Sequence, residues 1–126
     1  MKYLGIDYGS KRVGLATSDE EGKMAFPYAV ILNNEKLIDK IGEIIKKEKI
    51  EKIIIGESTN FKGEPNKIMV EIEKFTEELK EKFKLEVVFE PEFLTSVQAE
   101  KLQGKNEMTD ASAAALILQS YLDRRD

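Results

Sequence analysis

The sequence predicts an α/β fold in which helices cover a mixed five-stranded sheet. Two observations carry this prediction. Short β-favouring runs separated by turn signals fill the first 32 residues, and helical periodicity then alternates with continuous apolar runs. The resulting order, β-β-β-α-β-α-β-α-α, places a meander of three strands before strands that helices connect, which is typical of a mixed sheet with helices on its faces.

The first three predicted strands form an antiparallel meander. Residues 2–7 are an apolar run that ends at Asp7, where Asp-Tyr-Gly-Ser reads as a turn. Residues 13–18 favour a second strand, and an acidic turn at 19–22 leads into a third strand over 24–32. Because tight turns join antiparallel neighbours, we expect these three strands to be antiparallel.

Helices and strands alternate through the middle of the chain. Apolar residues at helical spacing predict one helix from Glu35 and another over 68–83. The β-branched run at 52–56 is typical of a strand buried on both faces, and 85–89 forms a fifth strand. Right-handed crossovers make these later strands parallel to the first.

Two further helices complete the predicted chain. One covers 94–102, and the other covers 110–122 with Thr109 as its N-cap. Ligands of open α/β sheets bind beyond the carboxyl ends of parallel strands. We therefore expect the functional site beside the ends of the strands at 2–7 and 52–56.

Composition excludes several classes of protein. The chain has 126 residues, which we interpret as a single domain over 1–126, and it is 41% hydrophobic and 35% charged. It contains no cysteine and no histidine, which excludes disulfides, thiolate chemistry, a Ser-His-Asp triad and zinc sites built from these residues. A net charge of −4 excludes a strongly basic nucleic-acid binder, although a local basic patch stays possible.

Targeting signals are not found in the sequence. No apolar run approaches the roughly 18 residues of a membrane span. The first residues run directly into a predicted strand, without the pattern of a secretory signal. We therefore expect a cytoplasmic protein with no membrane partner.

Five acids are candidates for the functional site expected beside the ends of the strands at 2–7 and 52–56. Asp7 and Glu57 follow predicted strands, Glu90 and Glu92 lie in the loop after the fifth strand, and Asp110 opens the last helix. Four of them have an ordinary structural explanation: an Asx turn for Asp7, solvation for Glu90 and Glu92, and the helix dipole for Asp110. Together they are hard oxygen ligands that suit Mg²⁺ or Mn²⁺. Two such ions can stabilise both oxygens of a phosphodiester displacement.

Three segments resemble the YqgF family, also called RuvX. Residues 4–19 (LGIDYGSKRVGLATSD) resemble its amino-terminal signature, and 94–100 (LTSVQAE) and 110–122 (DASAAALILQSYL) resemble two later blocks. The family comprises small bacterial proteins described as Holliday-junction resolvases and pre-16S rRNA nucleases. The resemblance implies a ribonuclease H-like fold, an endonuclease that uses Mg²⁺ or Mn²⁺, with two ions expected, and a role in maturing the 5′ end of small-subunit ribosomal RNA.

Site residues follow from this resemblance position by position. Asp7 matches the acid of the first strand, Glu92 the middle acid and Asp110 the acid that opens the last helix, so these three are the expected catalytic residues and metal ligands. Lys11 and Arg12, just past the first strand, are expected to contact substrate phosphates.

The chain departs from the family pattern in two places. Pro91 and Phe93 stand where the family usually has Asp and Arg, and Glu57-Ser58 stands where Leu-Pro is common. Loss of the Arg removes a phosphate contact that no other side chain there can supply. Glu57 could join or replace Glu92 as a ligand. Two lysines of the loop after the fourth strand could extend the basic patch: Lys62 and Lys67.

Several alternatives stay open at this point. The substrate could be pre-16S rRNA or branched DNA, the protein could be ribosome-associated, and it could be a monomer or a homodimer. A non-catalytic nucleic-acid or ribosome-assembly module is a second interpretation, supported by the two departures. Residues 5–10 also resemble the first phosphate loop of actin-like ATPases and sugar kinases, which require a second domain and a second such loop.

Overall fold

The computed structural model describes residues 1–57, 68–91 and 108–124, without the side chains of 108–110. We number its elements in chain order. The strands and helices are β1 (Tyr3–Tyr8), β2 (Arg12–Ser18), β3 (Ala25–Leu32), α1 (Leu37–Glu48), β4 (Lys52–Glu57), α2 (Ile68–Phe83), β5 (Glu86–Pro91) and α3 (Met108–Arg124). No helix in this part of the chain is long and apolar enough to cross a membrane.

The five strands form one mixed sheet, in the order β3-β2-β1-β4-β5. β1 and β2, and β2 and β3, pair antiparallel as the predicted meander requires. β4 pairs parallel with β1 and with β5. The predicted mixed five-stranded sheet is confirmed, and the carboxyl ends of β1, β4 and β5 share one edge.

Helices cover both faces of the sheet, because side chains alternate between the faces of every strand. One face packs on α1 and α2 through a large aliphatic core, whose fully buried members include Leu4, Ile6, Leu15, Ile41, Ile53, Ile55, Ile72 and Leu79. The other face packs on α3 through a smaller core, formed by Tyr3, Ala16, Ile54, Ala114, Ile117, Leu118 and Leu122. These two layers position α3 across the centre of the sheet.

The structure corrects several predicted boundaries. Asp7 does not close β1, because the strand continues to Tyr8, which pairs with Val13 of β2. Thr109 is the second residue of α3 and not its N-cap. β5 extends to Pro91, so Glu90 belongs to a strand and not to a loop. The predicted helix at 94–102 and the two loop lysines, Lys62 and Lys67, lie outside the described residues.

Candidate active site

Asp7 lies near the carboxyl end of β1, on the face of the sheet that α3 covers. It is half-buried. Tyr3 belongs to the α3 core, whereas Leu4 and Ile6 belong to the opposite core. Since side chains alternate along a strand, Asp7 shares the face of Tyr3 and Gly5. The acid predicted for the first strand therefore faces the layer between sheet and helix.

Glycines flank Asp7 on both neighbouring strands. Gly14 is its partner on β2. Gly56 follows Ile55, the β4 partner of Ile6, and so lies beside Asp7 on the other side. Because glycine has no side chain, neither neighbour projects an atom into the space beside the carboxylate on this face.

The packing of α3 brings its first turn to the same end of the sheet. A Cβ on Gly5 would lie 2.8 Å from the Leu118 Cβ and 3.0 Å from the Ala114 carbonyl oxygen, so the helix rests on the β1 backbone. Farther down β1, the Tyr3 ring lies 6.0 Å from the ring of Tyr121. The helix therefore runs in the opposite sense to β1.

The direction of α3 determines where Asp110 lies relative to Asp7. Asp110 precedes Ala114 by about one helical turn, and Asp7 follows Gly5 by two residues. Because α3 and β1 run in opposite senses, both steps lead toward the same end of the layer. The backbone positions of Asp7 and Asp110 thus come to the same end of the layer between β1 and α3.

The other candidate acids fall in different places. Ile53 and Ile55 pack in the α1/α2 core, so the alternation of β4 puts Glu57 on that face, away from Asp7. Glu92 lies just past β5, outside the described residues. Among the described side chains, which exclude those of Glu92 and Asp110, no three acids lie close enough together to hold a metal ion.

A tight turn presents the two predicted phosphate contacts. Lys11 lies in the turn between β1 and β2, Arg12 is the first residue of β2, and both are exposed. A Cβ on Gly9 would lie 2.5 Å from the Arg12 carbonyl oxygen, so only glycine fits there. Arg12 shares the face of Gly14, two residues along β2, and is thus a diagonal neighbour of Asp7, with Cα atoms about 7–8 Å apart.

Asn33 braces this turn, and sequence reasoning missed it. Its Nδ2 donates a hydrogen bond of 2.8 Å to the Gly9 carbonyl oxygen, and its backbone N–H donates one of 2.9 Å to the Lys11 carbonyl oxygen. Two hydrogen bonds from Asn33, which directly follows β3, thus hold both ends of the turn between β1 and β2. An Asn directly after a predicted strand was the available signal, but its partner is 24 residues earlier.

Glu90 is buried, contrary to the expectation of a solvated loop acid. The residue is 3% exposed. The Ser120 hydroxyl donates a 2.8 Å hydrogen bond to its Oε2, and the Arg124 guanidinium forms an ion pair with its Oε1. Hydrogen bonding to this carboxylate raises the pKa of Arg124 above its usual value. Glu90 therefore ties the end of β5 to the last turns of α3.

Comparison with known proteins identifies the family. The model of the family described as "RuvX: Holliday junction resolvase" matches residues 1–124. The chain belongs to the RuvX family. The match confirms the resemblance to this family.

Curated relatives agree with this assignment. A protein of Sulfurihydrogenibium sp. (strain YO3AOP1), named "Putative pre-16S rRNA nuclease", is 41% identical over 98% of this chain and 90% of its own length. Proteins of the same name from Streptococcus thermophilus (strain CNRZ 1066) and Bacillus cereus (strain B4264) are 35% and 34% identical, over 98% and 99% of this chain and 99% and 100% of the relatives.

Solved structures confirm the ribonuclease H-like fold. RuvC of T. thermophilus, in complex with a Holliday junction substrate, superposes with a TM-score of 0.66 at 13% identity, covering 97% of this chain and 94% of RuvC. The Fowlpox virus resolvase in complex with Holliday junction DNA gives a TM-score of 0.60 at 11% identity, covering 98% of this chain and 97% of the resolvase. At such identities these likenesses establish the fold alone.

Proposed function

We propose that this RuvX-family protein is a metal-dependent endonuclease that cleaves RNA phosphodiester bonds while the 5′ end of pre-16S rRNA matures. The observation that carries this proposal is that the backbone positions of Asp7 and Asp110 lie at one end of the layer between β1 and α3. The family match and the names of the curated relatives support the same activity.

The proposed metal ligands are Asp7, Glu92 and Asp110. Three carboxylates are a hard donor set, which suits Mg²⁺ or Mn²⁺ better than zinc or copper. The glycines beside Asp7 on β2 and β4 place no side chain next to its carboxylate, which is compatible with a bound ion. When bound, a pair of divalent ions stabilises the attacking and leaving oxygens of the displacement.

The protein itself would orient the substrate. Arg12 lies on the face of Asp7 and Lys11 is exposed beside it, so both can meet phosphates that flank the scissile bond. Glu57 is not proposed as a ligand, because the alternation of β4 places it on the opposite face of the sheet. With a net charge of −4, the chain should bind RNA weakly and with a strong dependence on salt.

A cleavage assay tests this function. The substrates are an RNA that carries a ribosomal 5′ leader and a four-way DNA junction, each incubated with Mg²⁺, Mn²⁺ or EDTA. Asp7→Asn is compared with Asp39→Asn, the same change at an exposed acid of α1 that pairs with Lys82. We expect metal-dependent cleavage of the RNA, lost in Asp7→Asn and kept in Asp39→Asn.

The same assay separates the alternatives. Preferential cleavage of the junction would indicate a resolvase instead of a ribosomal RNA nuclease. The size of the complex between protein and junction would then show whether two copies act together. Binding of RNA without cleavage of either substrate, by a folded protein, would contradict the nuclease. It would indicate a non-catalytic module instead.

A further inference from the structure

Glu90 is a buried carboxylate that the proposed chemistry does not use. Among the described residues it is the only Asp, Glu, Lys or Arg in the buried class. Removing a carboxylate from water is costly unless charge and hydrogen bonds compensate it. Both of its described partners, Ser120 and Arg124, come from α3, one helical turn apart. Glu90 is therefore bonded to the helix that begins beside Asp7.

The position of Glu90 connects two of the proposed ligands. Along the chain, Glu92 follows Glu90 by two residues, and the intervening Pro91 has a restricted backbone. Across the layer, Ser120 lies on the same continuous helix as Asp110, about 15 Å along its axis. One carboxylate thus links the strand that leads to Glu92 with the helix that carries Asp110.

We propose that Glu90 is a positioning residue, which supports metal binding by fixing the end of β5 against α3, the helix that carries Asp110. The proposal rests on the metal-dependent nuclease function above. Magnesium requires near-ideal octahedral geometry, and a functional constellation must be held within roughly 0.5 Å. Weakening the bond between β5 and α3 should therefore weaken metal binding, although Glu90 itself does not contact the metal.

The chain offers a matched control at the other end of the sheet. Glu48 of α1 also pairs with one cation and one hydroxyl, since Lys2 Nζ lies 2.7 Å from its Oε1 and the Tyr28 hydroxyl 3.3 Å from its Oε2. Tyr28 packs against the α1/α2 core, away from α3. Glu48→Gln therefore removes a comparable ion pair without touching the connection between β5 and α3.

The test measures Mn²⁺ binding by electron paramagnetic resonance, without substrate, on the full chain and its variants at a temperature where each is folded. Glu90→Gln should weaken Mn²⁺ binding about tenfold, the lower limit usual for residues that support metal ligands. Ser120→Ala, which keeps the ion pair to Arg124, should weaken it about threefold, and Glu48→Gln should leave it unchanged. The Mg²⁺ concentration for half-maximal RNA cleavage should rise in the same order.

The outcomes separate this inference from the function on which it rests. Wild-type Mn²⁺ affinity in Glu90→Gln, together with loss of binding in Asp7→Asn, would overturn the positioning role and leave the nuclease intact. If Glu90→Gln does not fold, Ser120→Ala decides, and wild-type affinity in that variant overturns the role. If the unmodified protein neither binds Mn²⁺ nor cleaves, the proposed function and the positioning role both fail.

Discussion

Gly5 of β1 lies in direct contact with Leu118 of α3, so closely that a Cβ on Gly5 would be 2.8 Å from the Leu118 Cβ. The Ala114 carbonyl oxygen, one helical turn earlier, would lie 3.0 Å from the same Cβ, so the helix packs closely against the β1 backbone. This contact brings the start of α3 to the level of Asp7. The candidate active site therefore depends on a position that has no side chain.

Gly5→Ala should destabilise the protein, because the new methyl group forces α3 away from β1. Overpacking of this kind costs about 1–3 kcal/mol of unfolding free energy, measurable by urea denaturation. RNA cleavage should fall further than stability explains, since the two proposed ligands separate.

Gly42→Ala is the control for this change. A Cβ on Gly42 would meet only the outer ring atoms of Phe83, at 2.9 Å, and that ring can shift. Alanine also favours the helix by up to about 1 kcal/mol. We expect near-neutral stability and unchanged cleavage, and an equal loss in both variants would contradict the special role of Gly5.

Lys11→Gln and Arg12→Gln should weaken RNA binding without changing Mn²⁺ affinity, because both residues are expected to contact phosphates. Each lost contact should reduce the slope of log affinity against log salt by about 0.7 for a single strand. Fluorescence anisotropy over a salt series measures this slope. Lys23→Gln, at an exposed lysine in the turn between β2 and β3, should leave it unchanged; an equal loss there would indicate diffuse attraction only.

Asn33→Ala should raise the KM for RNA, since the side-chain hydrogen bond to the Gly9 carbonyl oxygen holds the turn that presents Lys11. Loss of one such bond also costs about 1 kcal/mol of stability. Its neighbour Asn34 accepts a 2.9 Å hydrogen bond from the Lys36 backbone N–H at the start of α1. Asn34→Ala should lower stability without changing KM, and steady-state kinetics with thermal unfolding distinguishes the two variants.

Glu48 should contribute stability at neutral pH that disappears in acid. A hydrogen bond from Lys2 lowers the pKa of the Glu48 carboxyl below its usual value. A lowered pKa means that the ionised form favours the folded state, so the contribution is complete above the unfolded value of about 4.3 and is lost as the pH falls through the folded value. Chemical denaturation should show Glu48→Gln less stable than wild type at pH 7, with a smaller difference at pH 3. A difference that grows in acid would contradict the ion pair.

Much of the fold follows from local rules. Hairpin turns and right-handed crossovers predict the antiparallel meander and the parallel neighbours β1 and β4, because each rule acts on neighbouring elements. The acids at 7 and 110 could be predicted as candidates because both stand near the ends of well-defined elements.

Other features depend on contacts between distant residues. The burial of Glu90 follows from Ser120 and Arg124, which are 30 and 34 residues away and carry no signal near the strand. The face of Glu57 was equally hidden, since a strand that is apolar on both sides shows no alternation from which to assign its faces.

Asp7, Glu92 and Asp110 are proposed to form one metal site. Anomalous diffraction from a crystal of the protein grown with Mn²⁺ tests it most directly. We predict Mn²⁺ peaks at the carboxyl end of β1, within about 2.3 Å of carboxylate oxygens from all three residues. Mn²⁺ peaks only elsewhere on the protein, or a peak bound by Asp7 without either of the other two acids, would contradict the account.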